Sequence, residues 1–224
     1  MEFLKKYKHT LIIPIYGIFY MLAFGYVEQR KVPINIIHMK IDDYIPFCEY
    51  FIVPYLLWFA YVAVTVFYFA FINKNKQEYW QFILTLGIGM TLFIVVSLIY
   101  PNGQNLRPEL TGDGIFIQLV QYLYTIDTPT NILPSIHVFN SIACCIAVFH
   151  HKPFQKRKVL LTGTAVLTTL IVLATVFLKQ HTLVDVIAAA ALNLVCYQLL
   201  YKPRAVHAEN ADFFEIYRKH TLIQ

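Results

Sequence analysis

Phe51–Ile72 reads FIVPYLLWFAYVAVTVFYFAFI and carries no charged residue. A helix that crosses a bilayer needs roughly 20 predominantly apolar residues, and this run meets that length. Outward from it, Trp80–Tyr100 (WQFILTLGIGMTLFIVVSLIY) is equally free of charge, and Val159–Leu178 continues the pattern. Three further apolar stretches, Leu11–Tyr26, Leu133–Phe149 and Thr182–Tyr201, are shorter or hold polar residues. Hydrocarbon leaves backbone N–H and C=O groups nothing to bond except one another, so spanning segments are helices or closed barrels. These runs are too long and too evenly apolar for the alternating strands of a barrel.

The expected fold is therefore all-α: a polytopic membrane protein forming a six-helix transmembrane bundle. It is expected to be one domain, 1–224, with spans at about 11–26, 51–72, 80–100, 133–149, 159–178 and 182–201. Composition agrees, with 58% hydrophobic and 14% charged residues and a mean hydropathy of +0.56. Soluble domains carry about 25% charged residues. Lys5, Lys6 and Lys8 before the first apolar stretch resemble the start of a signal peptide. No clear small-residue cleavage site follows, so the stretch reads as a retained helix.

Basic residues set the orientation. With six spans and a cytoplasmic N-terminus, thirteen Lys and Arg fall on the cytoplasmic side. Only five, Arg30, Lys31, Lys40, Arg107 and Lys179, fall on the other. Both termini are expected inside, in a plasma membrane. The net charge of +5 sits in short clusters that flank spans and implies no nucleic-acid partner. Cys48, Cys144, Cys145 and Cys196 lie in or near spans and read as packing residues, with no disulfide framework. The tail from Ala205 to Gln224 reads as a polar cytoplasmic segment with a short amphipathic turn around Phe213, Phe214 and Tyr217.

In such a chain the ionisable residues at span ends mark function. Two segments hold them, both on the side away from the cytoplasm. The long connection 101–131 carries Arg107-Pro108, Glu109, Asp113 and Asp127, then runs into Asn131-Ile132-Leu133-Pro134-Ser135-Ile136-His137. Its length implies function or a partly helical insert. Ser135 is expected to cap span four, which puts His137 in the first turn of a helix whose free N–H groups suit an anion. The second segment is Lys179-Gln180-His181-Thr182-Leu183-Val184-Asp185. His181 and Asp185, four apart, are neighbours on one helix face. A carboxylate beside an imidazole fixes its tautomer. An unpartnered carboxylate in lipid costs roughly 2.5–3.5 kcal/mol, which favours His181 as the partner.

These groups suit phosphoryl transfer without a metal or cofactor. Arg107 is a fork for phosphate oxygens, His181 a nucleophile oriented by Asp185, and His137 an acid for the leaving oxygen. A metal site built from Asp127, His137, His181 and Asp185 is the less favoured alternative, because no familiar ligand spacing supports it.

Arg107-Pro108, Pro134-Ser135-Ile136-His137 and His181-x-x-x-Asp185, in that order, resemble the three-part signature of the type 2 phosphatidic acid phosphatase superfamily. The likeness covers about Tyr100 to Ala189. It implies a phosphohistidine on His181, with Asp185 its partner, His137 the acid, and Arg107 and Ser135 phosphate ligands. Three positions depart from the signature. Tyr100 stands where the family has lysine, Ile136 where it has glycine, and Ala174-Thr175 where it has Ser-Arg. Lys179 is the candidate substitute for a missing cation. The two-histidine, one-aspartate pattern is also similar to the lipid phosphotransferase branch, which includes the sphingomyelin and inositol phosphorylceramide synthases.

The expected activity is hydrolysis of a lipid phosphate or diphosphate monoester at the outer face, with lipid phosphate and membrane lipids as partners. A transferase with the same site, and a non-catalytic membrane protein with a degenerate one, are the alternatives.

Overall fold

The computed structural model describes residues 7–202. The amphipathic turn expected around Phe213 and Tyr217, and the basic residues Lys5, Lys6, Arg204, Arg218 and Lys219, lie outside them. The described chain forms eight α-helices: α1 Ile12–Gln29, α2 Lys40–Tyr44, α3 Ile52–Phe67, α4 Lys76–Ile99, α5 Ile115–Ile126, α6 Ile136–His150, α7 Lys158–Phe177 and α8 Leu183–Leu200. Two-residue strands, β1 Asn35–Ile36 and β2 Asn102–Gly103, pair in parallel.

Each of the six expected spans is a helix, with shifted ends. α4 starts at Lys76 because Asn75 caps it, its side chain accepting the Gln77 and Glu78 N–H groups. α3 ends in a wider π turn, Tyr68–Ile72. Five helices are long and apolar enough to cross a membrane. The sixth, α6, has 15 residues, which gives about 22 Å against a hydrocarbon core of about 30 Å. It starts at Ile136, directly after its Ser135 cap, and Asn102 of β2 holds the Ile132 and Leu133 N–H groups ahead of it. α6 packs against α3, α4, α7 and α8 at the centre of the bundle.

The bundle is apolar on the outside as well as in its core. Phe69, Tyr79, Phe82, Cys144 and Ala147 form one core cluster at the end away from the functional motifs. Large apolar side chains such as Ile15, Phe19, Leu22, Phe59, Val64, Leu194 and Leu199 are exposed on the outside. A water-soluble monomer rarely exposes apolar surface on this scale. All four cysteines are free, with Cys144 and Cys196 buried in the core.

The connection 101–131 is ordered by packing and by one buried amide. α5 is amphipathic and buries Val120 and Leu123 against Ile52, Tyr55, Ala174 and Leu178. Asn102 is fully buried, and its carbonyl oxygen accepts the N–H groups of Ile132 (2.9 Å) and Leu133 (3.0 Å). Its amide donates to the Tyr100 carbonyl at 2.7 Å. Asn102 thus ties the end of α4 to the start of α6. Asn102→Leu leaves those buried donors without a partner. It is expected to cost about 2–3 kcal/mol, read as a lowered melting temperature in detergent.

Candidate active site

Two helix N-termini, α6 and α8, meet at one end of the bundle. Ser135 caps α6 by accepting the Val138 N–H at 3.4 Å, and its own N–H donates to the Asp185 carbonyl of α8, also at 3.4 Å. Chain entry to α6 is therefore fastened to α8. His137, in the first turn of α6, is held between two aromatic rings of α3, with centroids 4.6 Å from Tyr55 and 4.3 Å from Trp58. The His137 and His181 rings lie 5.8 Å apart.

His181 sits in the turn between α7 and α8. The Gln180 and His181 N–H groups both donate to the Thr175 carbonyl, at 2.9 and 3.0 Å. Asp185 is fully buried, and its Oδ2 accepts the Thr182 N–H at 2.8 Å, closing the first turn of α8. The same Oδ2 lies 3.4 Å from His181 Nδ1. Asp185 Oδ1 and His181 Nδ1 have no hydrogen bond among the described residues. A small ring rotation closes that contact, and catalytic hydrogen bonds commonly tighten only when substrate binds.

His137, His181, Gln180, Asp127 and Trp58 line a cavity of about 290 Å³ that also reaches Glu28, Thr128 and Asn131. Ser135, Lys179, Asp185 and Arg107 are not on its wall. Ser135 is buried under its capping role. Asp185 lies behind His181. Lys179, the candidate substitute cation, is turned elsewhere. Its backbone is left-handed (φ 52°), which reverses the chain between α7 and α8. Its ammonium consequently donates to the Asp42 carbonyl at 2.7 Å. Asp42 is buried and also accepts the Leu183 N–H at 2.9 Å, so α2 clamps the His181 turn from outside.

Arg107 stands behind the cavity. Its guanidinium stacks on Tyr124, 4.2 Å from the ring centroid. It donates to the carbonyls of Tyr124 (3.2 Å) and Asp127 (2.5 Å), and to the Gln180 side-chain oxygen. Gln180 in turn donates to the Asp127 carboxylate at 3.3 Å, and the Tyr55 hydroxyl also donates to that carboxylate. Burial lowers the Arg107 pKa, and the nearby Asp127 charge opposes that shift. Arg107 thus reaches the cavity through Gln180 and holds α5 to the α7–α8 turn. Lysine offers no planar fork for these acceptors. Arg107→Lys is expected to cost about 1.5–3 kcal/mol and to speed limited proteolysis between residues 104 and 114.

Tyr55, Trp58, Gln180 and Asn140 also belong to the site, although the sequence motifs do not mark them. Gln180 adjoins His181, and Asn140 follows His137 by one helical turn, so spacing alone offered a hint for these two. Tyr55 and Trp58 sit in a charge-free span and have no such signal. Among the described residues, no group of three or more His, Cys, Asp or Glu is arranged to hold a metal ion. The set Asp127, His137, His181 and Asp185 is thus not gathered as a ligand cluster.

Comparison with known proteins returns no matching family model, no similar curated protein and no similar solved structure.

Proposed function

We propose that this chain is a six-span integral membrane lipid phosphatase of the type 2 phosphatidic acid phosphatase kind. It hydrolyses a lipid phosphate or diphosphate monoester through a phosphohistidine. Both termini lie in the cytoplasm, and the site opens at the outer face of the plasma membrane. The observation that carries the reading is the pairing of His137 and His181 across one cavity, with buried Asp185 at 3.4 Å behind His181 Nδ1. Five apolar helices and an apolar exterior support the membrane setting.

Asp185 holds the proton on Nδ1, which leaves the Nε2 lone pair of His181 as nucleophile. Nε2 attacks the terminal phosphorus, and its P–O bond to the lipid oxygen, or to the inner phosphate of a diphosphate, breaks in line. His137, held by Tyr55 and Trp58, gives its proton to the departing oxygen. The α6 N-terminus offers uncapped N–H groups and the positive end of the helix dipole to the phosphoryl oxygens. In the second half, His137 takes a proton from water, whose oxygen displaces His181. The products are inorganic phosphate and the lipid alcohol, or the lipid monophosphate where the substrate is a diphosphate.

The test is to mix purified protein with a ³²P-labelled lipid monophosphate, quench in alkali and map the label. An acid-labile, alkali-stable label on His181, with free phosphate as product, is expected. Label transferred to an added lipid alcohol would identify a transferase. Absence of any labelled protein during turnover would overturn the phosphohistidine.

A further inference from the structure

We infer that Asn140 and Trp58 form a hydrogen-bonding station below His137 that selects lipid phosphates bearing a hydroxyl or amide group within a few bonds of the phosphate. The inference deepens the phosphatase reading and rests on it for the identity of the headgroup. The cavity holding His137 and His181 adjoins a second one of about 660 Å³. Trp58, Met90 and Asn140 line both, so they mark the junction. Beyond it, the walls are side chains such as Ile13, Val62 and Leu86. On α4 this lining runs from Met90 down to Trp80, a span of about 15 Å. That shape and chemistry suit a lipid tail.

Two polar atoms at the junction break the apolar pattern. Asn140 is only 3% exposed, and its Oδ1 has no hydrogen bond among the described residues. Trp58 Nε1 is likewise buried and without a partner among them. Buried polar groups are nearly always satisfied, so an orphan pair needs a reason. The two are complementary: an indole N–H can only donate, while the carboxamide oxygen accepts. A lipid hydroxyl has both complements, a lone pair for Trp58 and a proton for Asn140. An amide has both in its carbonyl and its N–H. A plain alkyl or polyprenyl phosphate leaves both atoms orphaned. Asn140 is three residues from His137 on the same helix face, so the selected group lies next to the reacting phosphate. A site built to hydrogen-bond a substrate group discriminates strongly against the analogue that lacks it.

The experiment uses full-length protein in detergent and three single-chain monophosphates of equal length: a 2-hydroxyalkyl phosphate, an N-acyl ethanolamine phosphate and a plain alkyl phosphate. Binding is measured on His181→Ala protein, where nothing is turned over, and phosphate release on the unsubstituted protein. At least about tenfold tighter binding of a hydroxyl or amide lipid over the plain one is expected. The two polar lipids separate the hydroxyl source from the amide source. Adding Asn140→Leu or Trp58→Phe should shrink the preference to within about twofold. Asn140→Leu should also raise the lipid-free melting temperature, because it removes an unpaired buried polar group. Equal binding of all three lipids, no binding of any, or a preference that survives both substitutions overturns the inference. A binding preference without His181-dependent phosphate release overturns the phosphatase reading instead and leaves the selective site standing.

Discussion

Replacing His181 with alanine should lower lipid phosphate hydrolysis by at least about four orders of magnitude, because, of the two histidines on the cavity wall, it is the one with a buried carboxylate behind its ring. The His137 imidazole is half-buried between Tyr55 and Trp58, which fixes its ring plane but gives it no carboxylate partner comparable to Asp185. His137→Ala should behave differently. Loss of a general acid typically costs about 10²–10⁴ in rate, and the cost depends on the leaving group. With an aryl phosphate, whose leaving oxygen needs little protonation, phosphoenzyme formation should recover and labelled His181 should accumulate. Rapid-quench measurement of phosphoenzyme and free phosphate, with circular dichroism as a folding control, checks both results. Retention of most activity in His181→Ala would remove the proposed mechanism.

Asp185→Asn should lower turnover by about three to four orders of magnitude while leaving the protein folded. The asparagine side chain still offers an oxygen to the Thr182 N–H, now held at 2.8 Å by Asp185, so the first turn of α8 stays capped. Its neutral amide, however, presents no anion to His181 Nδ1. In a comparable hydrolase arrangement, this exchange selects the wrong imidazole tautomer and costs about 10⁴ in kcat. Asp185→Ala removes the cap as well, and should add about 1 kcal/mol of destabilisation. The difference between the two variants separates the electrostatic role of Asp185 from its structural one. Measuring kcat and melting temperature for both decides the matter, since a purely structural Asp185 would leave the asparagine variant active.

The local physics of the chain was legible in its residues. Long charge-free runs had to become helices, because an apolar chain segment can satisfy its backbone only internally. Ser135 reads as a cap and is one; His181 and Asp185 also come together, though not on one helix face, since His181 precedes the Thr182 cap of α8. These features depend on neighbours a few residues apart, which the local chain brings close without reference to the rest of the fold. What holds the chain ahead of the Ser135 cap was not legible in the same way. Asn102, thirty residues upstream, holds the backbone at Ile132 and Leu133.

Which side chains meet across helices was decided only by the tertiary structure. Lys179 lies two residues from His181, yet a left-handed backbone turns its ammonium toward Asp42. Arg107 matches its motif, but packing against Tyr124 and Gln180 puts it behind the cavity wall rather than on it. Tyr55, Trp58 and Asn140 look like ordinary span residues until α3 and α6 pack around His137. The sequence alone determined the helices, the Ser135 cap and the closeness of His181 to Asp185, because those arise from short-range pattern and chain proximity. The cavity, its orphan polar atoms and the direction of each cation come from long-range packing, which no local pattern encodes.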